Sequence, residues 1–486
     1  MPNEHDDQLL HLNGIDGTTG TYVKPAMTYQ QAAAAAKGKP ENPTDVSWLR
    51  RIWRTLVKVH LGLPFDIDPA DVAKAGWGVI FHHEESEEIK NALAPLLEHR
   101  RKTVGERVKV LEYCSGERRE DWLARYGVAA GSVDPGRVPF YLLLVGSPVR
   151  IPFEFYHHLA VEYCVGWIDF DRAEDFSSYV SSLIDYETAL TVPNTKEVVF
   201  FAPRHAFDRA TQLSADYLVK PLAEGAPASG TAGLQPSVAA RSGFNTQLFW
   251  GQDARKATLA QTLNGISSRP AFLLSASHGM GWPKGHPNQL AAQGALLCQD
   301  WPGARGAVSF EHYFAARDLS PTARVHGLIA FLFACYGVGT PEQDRFFHEA
   351  GKKPPAIADR SFLAALPKAL LSHPKGGALA CVGHVERAWG YSIIPPNARA
   401  QLQPFENAIG RILSGQPLGL ATRDFSERYA ALSTTLATKL EKISFNAQVP
   451  DYELASAWIA RNDAEGYLIF GDPAVRVRVA ALGTPR

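Results

Sequence analysis

Short apolar runs recur along the chain, separated by segments whose apolar residues fall at helical spacing. Trp77–Phe81, Val108–Tyr113 and Phe140–Val145 read as strands, and Glu85–Glu98, Arg118–Tyr126 and Phe176–Leu190 as helices. After a junction at Pro193-Asn-Thr the rhythm restarts with a strand at Glu197–Ala202 and a helix at Thr211–Ala223. A Gly/Ala/Ser loop at Gly225–Gly233, a strand at Phe244–Phe249 and a helix at Lys256–Gly265 follow. Two largely apolar runs then stand out, Ala271-Phe-Leu-Leu-Ser-Ala-Ser and Leu328-Ile-Ala-Phe-Leu-Phe-Ala, with Gly294–Cys298 and Val308–Phe314 suiting a hairpin between them. Gly376–Gly383 is one more buried strand, and Tyr467-Leu-Ile-Phe-Gly471 closes the chain. Strands alternating with helices predict an α/β protein of mostly parallel sheet flanked by helices.

Length adds a division. At 486 residues the chain exceeds one typical domain. The pattern divides it into an N-terminal extension (1–70), a first α/β subdomain (71–194) and a second (195–486) that carries the reactive residues. Residues 1–45 of it are rich in turn and small residues, and read as a docked or frayed arm with a propeptide-like segment as the alternative. Trp48–Leu61 within it has the spacing of an amphipathic helix.

Composition narrows the chemistry by exclusion. Forty-five per cent hydrophobic and 20% charged residues describe an ordinary globular protein, and a net charge of −1 offers no basic footprint for nucleic acid or an anionic membrane. Five scattered cysteines without CxxC spacing argue against a disulfide framework and a zinc site. His82-His83, His157-His158 and His384 have no carboxylate at ligand spacing and read as surface or satisfied histidines. No cofactor is expected. No apolar run approaches ~18 residues and none follows the acidic start, so the expectation is a cytoplasmic protein without a membrane partner.

What remains is a matched pair of strand ends. The first apolar run leads into Ser277-His278-Gly279 and the second into Ala334-Cys335-Tyr336-Gly337. In parallel sheets ligands and chemistry gather at the carboxyl ends of strands, and neighbouring strands lie about 5 Å apart, so both side chains fall within reach of one cleft. A thiolate is a strong nucleophile and an imidazole can take its proton. Glycine after each residue lets backbone approach a substrate carbonyl and leaves N–H groups for an oxyanion.

These motifs resemble the histidine and cysteine motifs of the caspase-like (clan CD) cysteine peptidases, and within them the gingipain-type family C25. Tyr141–Pro152, Val165-Gly-Trp-Ile168 with the helix after it, and Tyr467–Val477 are similar to further segments of that family, so the resemblance spans about residues 76–480. Ser147 and Trp167 depart from it, standing where an Asp and an Arg are usual, and the interval between the two motifs is longer than expected. The resemblance implies a caspase/gingipain-like fold of two adjoining subdomains and a cysteine endopeptidase with Cys335 as nucleophile and His278 as acid/base. It also implies an oxyanion hole from the Gly279 and Cys335 amides and a P1 pocket beside the strand that ends near His384. Glu386 and Trp389 are pocket candidates there, an acidic pocket favouring Arg or Lys at P1; the plain alternative for Glu386 is a surface pair with Arg387. Asp208 is a further acid, for the pocket or for orienting His278. The expected partners are a protein or peptide substrate and an activating protein, as for a regulated bacterial stress or defence effector. A silent caspase-like scaffold and a thiol transpeptidase on the same site are the competing readings.

Overall fold

The computed structural model describes residues 9–11, 13–38, 62–227, 234–265, 269–346, 353–390, 393–394 and 400–484. The helix expected at Trp48–Leu61 and most of the Gly225–Gly233 loop lie outside them. The strands of the central sheet are β1 (Trp77–His82), β2 (Val108–Tyr113), β3 (Tyr141–Val145), β4 (Cys164–Ile168) and β5 (Thr195–Ala202). They continue with β6 (Asn245–Trp250), β7 (Pro270–Ala276), β8 (Ile329–Phe333), β9 (Ala380–His384) and β10 (Tyr467–Gly471).

All ten belong to one sheet in the order β2-β1-β3-β4-β10-β9-β8-β7-β5-β6. Every neighbouring pair is parallel except β9 with β10. Strands β1, β3, β4, β7, β8, β9 and β10 are buried along their whole length, as apolar runs covered by helices on both faces must be. The fold is thus α/β with a mainly parallel sheet flanked by helices. The expected hairpin is present as Leu296–Leu297 paired with Tyr313–Phe314.

The two halves meet where the last strand of the chain, β10, fits between β4 and β9 rather than closing an edge. Its contact with β4 is a single register pair, Phe470 with Trp167. Side chains reinforce this seam. Asp472, fully buried just after β10, accepts hydrogen bonds from Trp77 Nε1 (3.0 Å) and Arg100 Nη2 (2.8 Å) of the first half. Arg100 also forks onto Glu187 at 2.7 and 2.9 Å, so a buried cation is held by two carboxylates.

The described part of the N-terminal extension is docked. Residues 10–11 and 13–27 form a hairpin, with Leu10 opposite Met27 and Ile15 opposite Tyr22. The helix that follows, Tyr29–Gly38, lays Ala32, Ala33 and Ala36 against the helix Asp451–Glu465. Small side chains permit that close approach, and a Lys37–Asp451 ion pair (2.8 Å) lies at the rim.

Asp472→Ala is expected to cost about 3 kcal/mol, because it strips one carboxylate from a buried guanidinium. Thermal unfolding followed by circular dichroism should show a midpoint several degrees lower; an unchanged midpoint contradicts the role assigned to the seam.

Candidate active site

Four neighbouring strands, β5, β7, β8 and β9, run parallel and therefore release their chains at one edge of the sheet. Asp208 follows β5, His278 follows β7, Cys335 follows β8, and Glu386 to Trp389 follow β9. Ala276 is in register with Phe333, and the Ser277 N–H donates to the Phe333 carbonyl at 3.2 Å, so the two motif loops leave side by side.

His278 is almost completely enclosed. Its Nε2 faces Asp208 Oδ2 at 2.8 Å, and its ring stands edge-on to Tyr22 (5.5 Å between centroids) and Trp301 (6.1 Å). Nδ1 is buried and makes no hydrogen bond, so it is the ring nitrogen left for proton transfer. Asp208 is fixed from three directions. It caps the helix Arg209–Ser214 by accepting the Thr211 N–H at 2.9 Å, and it accepts from His278 and from the Tyr22 hydroxyl. Burial alone would raise its carboxyl, but His278, Tyr22 and Thr211 outweigh burial and hold it well below the usual carboxylate range.

Cys335 is 1% exposed. The Ala388 N–H donates to its Sγ at 3.2 Å, and the thiol points back to the Ala388 carbonyl at 3.7 Å. Burial pushes the thiol up to about 12, so in this closed form it is a neutral S–H. No hydrogen bond joins Cys335 to His278 among the described residues. A Cβ on Gly279 would lie 1.8 Å from the Cys335 carbonyl oxygen, so only glycine lets the two loops touch. The amides of Gly279 and Cys335 donate no hydrogen bond to the described residues. Tyr336 (φ 58°) and Glu386 (φ 71°) adopt left-handed backbone, and the Tyr336 N–H donates to the Glu386 carbonyl.

The remaining candidates sit beside the thiol, differently from expectation. Glu386 does pair with Arg387 (2.8 Å), but in the interior and not on the surface. Arg387 in turn forks onto Asp344 at 2.7 and 2.9 Å, and Lys24 from the N-terminal hairpin reaches Asp344 at 3.0 Å. Burial, with Asp344 beside it and against the pull of Arg387, pushes Glu386 up to about 8, whereas Arg387 and Lys24 hold Asp344 well below the usual range against its own burial. Trp389 turns its ring away into a cluster with Phe346 (5.4 Å, stacked) and Trp458 (5.9 Å), and its backbone N–H donates to Asp463 at 2.9 Å. Asp208 lies against His278 Nε2 at 2.8 Å and not among Asp344, Glu386 and Arg387. Asp344, Lys24 and Tyr22 are the residues that sequence reasoning missed.

Two of the other candidate histidines have hydrogen-bond partners, and a third is buried. His82 meets Ser115 at 2.7 Å, His384 meets Asp463 at 3.2 Å, and burial brings His157 down to about 3. Among the described residues no three His, Cys, Asp or Glu side chains are grouped to hold a metal ion, and no helix is long and apolar enough to cross a membrane.

A roof explains the closure. The hairpin's first arm pairs Asn13 antiparallel with Ala388, then Ile15–Asp16 parallel with Met280–Gly281. Gly14, between them, lies on the thiol: a Cβ there would be 3.4 Å from Cys335 Sγ.

No protein-family model matches the chain, and no curated protein matches it. Among solved structures it is similar to the Arg-specific cysteine proteinase gingipain R (RgpB), at 11% identity over 85% of this chain and 81% of that one, with a TM-score of 0.42. It is similar also to the complex of Porphyromonas gingivalis RgpB pro- and mature domains (12% identity, 83% and 80% covered, TM-score 0.43). The Saccharomyces cerevisiae separase–securin complex matches at 11% identity over 92% of this chain but 23% of that one, with a TM-score of 0.27. Similarity at this level decides neither family nor chemistry.

Two outcomes are expected of the closed site. In a Cys114→Ser background, which removes the exposed cysteine, iodoacetamide should alkylate Cys335 at least ~10-fold faster once Tyr22→Phe and Lys24→Ala loosen the hairpin, because an exposed thiol regains its ordinary acidity. Equal rates contradict the roof. Asp208 and Asp344 both have depressed folded pKa values, so their hold on the hairpin is present above the unfolded value of about 3.9 and is lost as pH falls below it. Hydrogen exchange in residues 13–27, corrected for intrinsic rates, should stay slow from neutral pH to about 5 and rise below about 4; a rise near pH 6.5 contradicts it.

Proposed function

We propose that the chain is a caspase-like cysteine endopeptidase of the gingipain type, held latent by its own N-terminal hairpin. The observation that carries this reading is the alignment of Asp208, His278 and Cys335 on three adjacent parallel strand ends, with His278 Nδ1 and two backbone amides left unengaged. With the hairpin displaced, Nδ1 takes the Cys335 proton and Sγ attacks the substrate carbonyl. The Gly279 and Cys335 amides receive the oxyanion, and the imidazolium returns its proton to the leaving amine. Asp208 keeps Nε2–H in place and stabilises the imidazolium. Water then hydrolyses the thioester. A protein or peptide fits as substrate, since the hairpin already crosses the site as extended chain.

The buried cluster of Asp344, Glu386 and Arg387 supports a preference for a basic side chain. Its Asp344 carboxylate loses the Lys24 ammonium when the hairpin leaves, and a substrate cation would take that ammonium's place beside it. A catalytically silent scaffold is the second reading, and what favours it is the 1% exposure of the thiol. Displacement by an activating partner is what separates the two.

The test is cleavage of a mixed-sequence peptide library by wild type, by Tyr22→Phe/Lys24→Ala, and by the latter carrying Cys335→Ala or Asp208→Asn. The loosened enzyme should cut, with Arg or Lys before the cut. Cys335→Ala should abolish cutting, and Asp208→Asn, which retains the helix cap, should lower kcat/KM by about 10²–10⁴-fold. No cutting by a loosened enzyme whose thiol is accessible favours the scaffold.

A further inference from the structure

The register that brings the reactive residues to the carboxyl edge of the sheet brings other side chains to its amino edge. Strands β5, β7, β8 and β9 are parallel, so the loops leading into them also lie side by side. Arg269 immediately precedes β7, Arg324 and His326 precede β8, and Lys375 precedes β9. With Thr322, these four line one hollow of about 380 Å³. Bonds between and beneath the loops fix its frame. The Thr195 N–H donates to the Arg269 carbonyl at 2.9 Å, and the Ser320 N–H donates to Asn264 Oδ1 at 3.2 Å. His373 Nε2 donates to the Ser320 carbonyl and His326 Nε2 to the Ser182 carbonyl, both at 2.9 Å. The Arg324 stem lies over Gly265, where a Cβ would come within 2.6 Å of Arg324 Cβ.

The charges on this frame are unmatched. Arg269 is half-buried and Arg324 and Lys375 are exposed, and the side chains of all three lack an ion pair or hydrogen bond among the described residues. No carboxylate lines the hollow. The buried arginines Arg100 and Arg387, in contrast, are forked onto carboxylates. Like charges around one hollow repel one another unless an anion lies between them. The adjoining cleft of about 900 Å³ shares His326 and Lys375 but carries Glu88, Glu174 and Asp185, which repel an anion there, so the Arg269 side is the one that admits it. On a chain of net charge −1, this is a local feature and not a general basic character.

We infer that the hollow binds a compact polyphosphate group, pyrophosphate or triphosphate, free or carried on a small molecule. Each guanidinium offers paired N–H donors that match two phosphoryl oxygens, the Lys375 ammonium adds a point charge, and the Thr322 hydroxyl adds a neutral donor. A diphosphate carries about three negative charges at neutral pH, which Arg269, Arg324 and Lys375 balance, whereas a single phosphate leaves one cation over. A nucleic acid strand does not fit, because the charge is gathered in one hollow and does not follow a track. The site lies at the edge of the sheet opposite the thiol, and the inference does not rest on the peptidase reading. A bound anion would bridge the loops before β7, β8 and β9 and tie together the strands that carry His278 and Cys335 at their far ends.

The experiment titrates full-length chain with inorganic pyrophosphate, tripolyphosphate and citrate by calorimetry at constant ionic strength, with thermal unfolding and hydrogen exchange alongside. Saturable binding of one pyrophosphate or tripolyphosphate per chain is expected, with a raised unfolding midpoint and slowed exchange in residues 320–326 and 373–376. Arg269→Gln and Arg324→Gln should each weaken pyrophosphate binding at least ~10-fold. Arg324→Lys, which keeps the charge and loses the fork, should weaken it about 3-fold. None of these substitutions should lower the midpoint of ligand-free chain, because the cations have no protein partner to lose. Absence of saturable binding, or binding undiminished in Arg269→Gln/Arg324→Gln chain, overturns the site. Equal affinity for citrate overturns the phosphate class. A ligand-free midpoint lowered in the variants, or exchange slowed only at the thiol edge, also overturns the assignment.

Discussion

The parallel register of β5, β7, β8 and β9 decides where the chemistry can be. Parallel strands place all their carboxyl ends on one edge, so Asp208, His278, Cys335 and the Glu386 to Trp389 segment converge although distant in the chain. Hydrogen bonding along buried apolar strands enforces that register, because a slip would leave backbone groups unpaired inside the sheet. The closeness of the two motif loops then depends on Gly279, where the Cys335 carbonyl occupies the space a side chain would need.

Closure is the second constraint, and it works through solvation. A thiol deprived of water resists ionisation, and burial pushes Cys335 up to about 12 despite the amide contact at Ala388. The hairpin imposes that burial and is itself held by two anions of the site, Asp208 through Tyr22 and Asp344 through Lys24. The groups that would serve the reaction thus anchor what prevents it. A few weak contacts suffice for such a lock.

Much of this was legible in the sequence. The strands carrying His278 and Cys335 were visible because strands buried on both faces are unbroken apolar runs, and the glycines after each reactive residue marked the strand ends. The position of β10 at the seam was not legible, since an apolar run records burial and not which neighbours provide it. Asp344 lies in a polar stretch without period, and its importance comes from Arg387 and Lys24, both remote in sequence. The hairpin had a local signal in Gly14-Ile-Asp-Gly-Thr-Thr-Gly20, a turn-rich run between apolar residues. Its destination had none, because Gly279 and Ala388 are specified only by the folded sheet. Trp389 reads as a cleft aromatic but serves the cluster under the N-terminal helix, where Phe346 and Trp458 offer more apolar contact than an open pocket would.

The central claim is that His278 activates Cys335 once the roof is open. The pH dependence of Cys335 alkylation in the Tyr22→Phe/Lys24→Ala chain, beside the same chain with His278→Ala, tests it most directly. The account predicts a thiol that ionises below the ordinary value of about 8.5 and loses that advantage without the imidazole. A midpoint at or above the ordinary value, unmoved by His278→Ala, would contradict it.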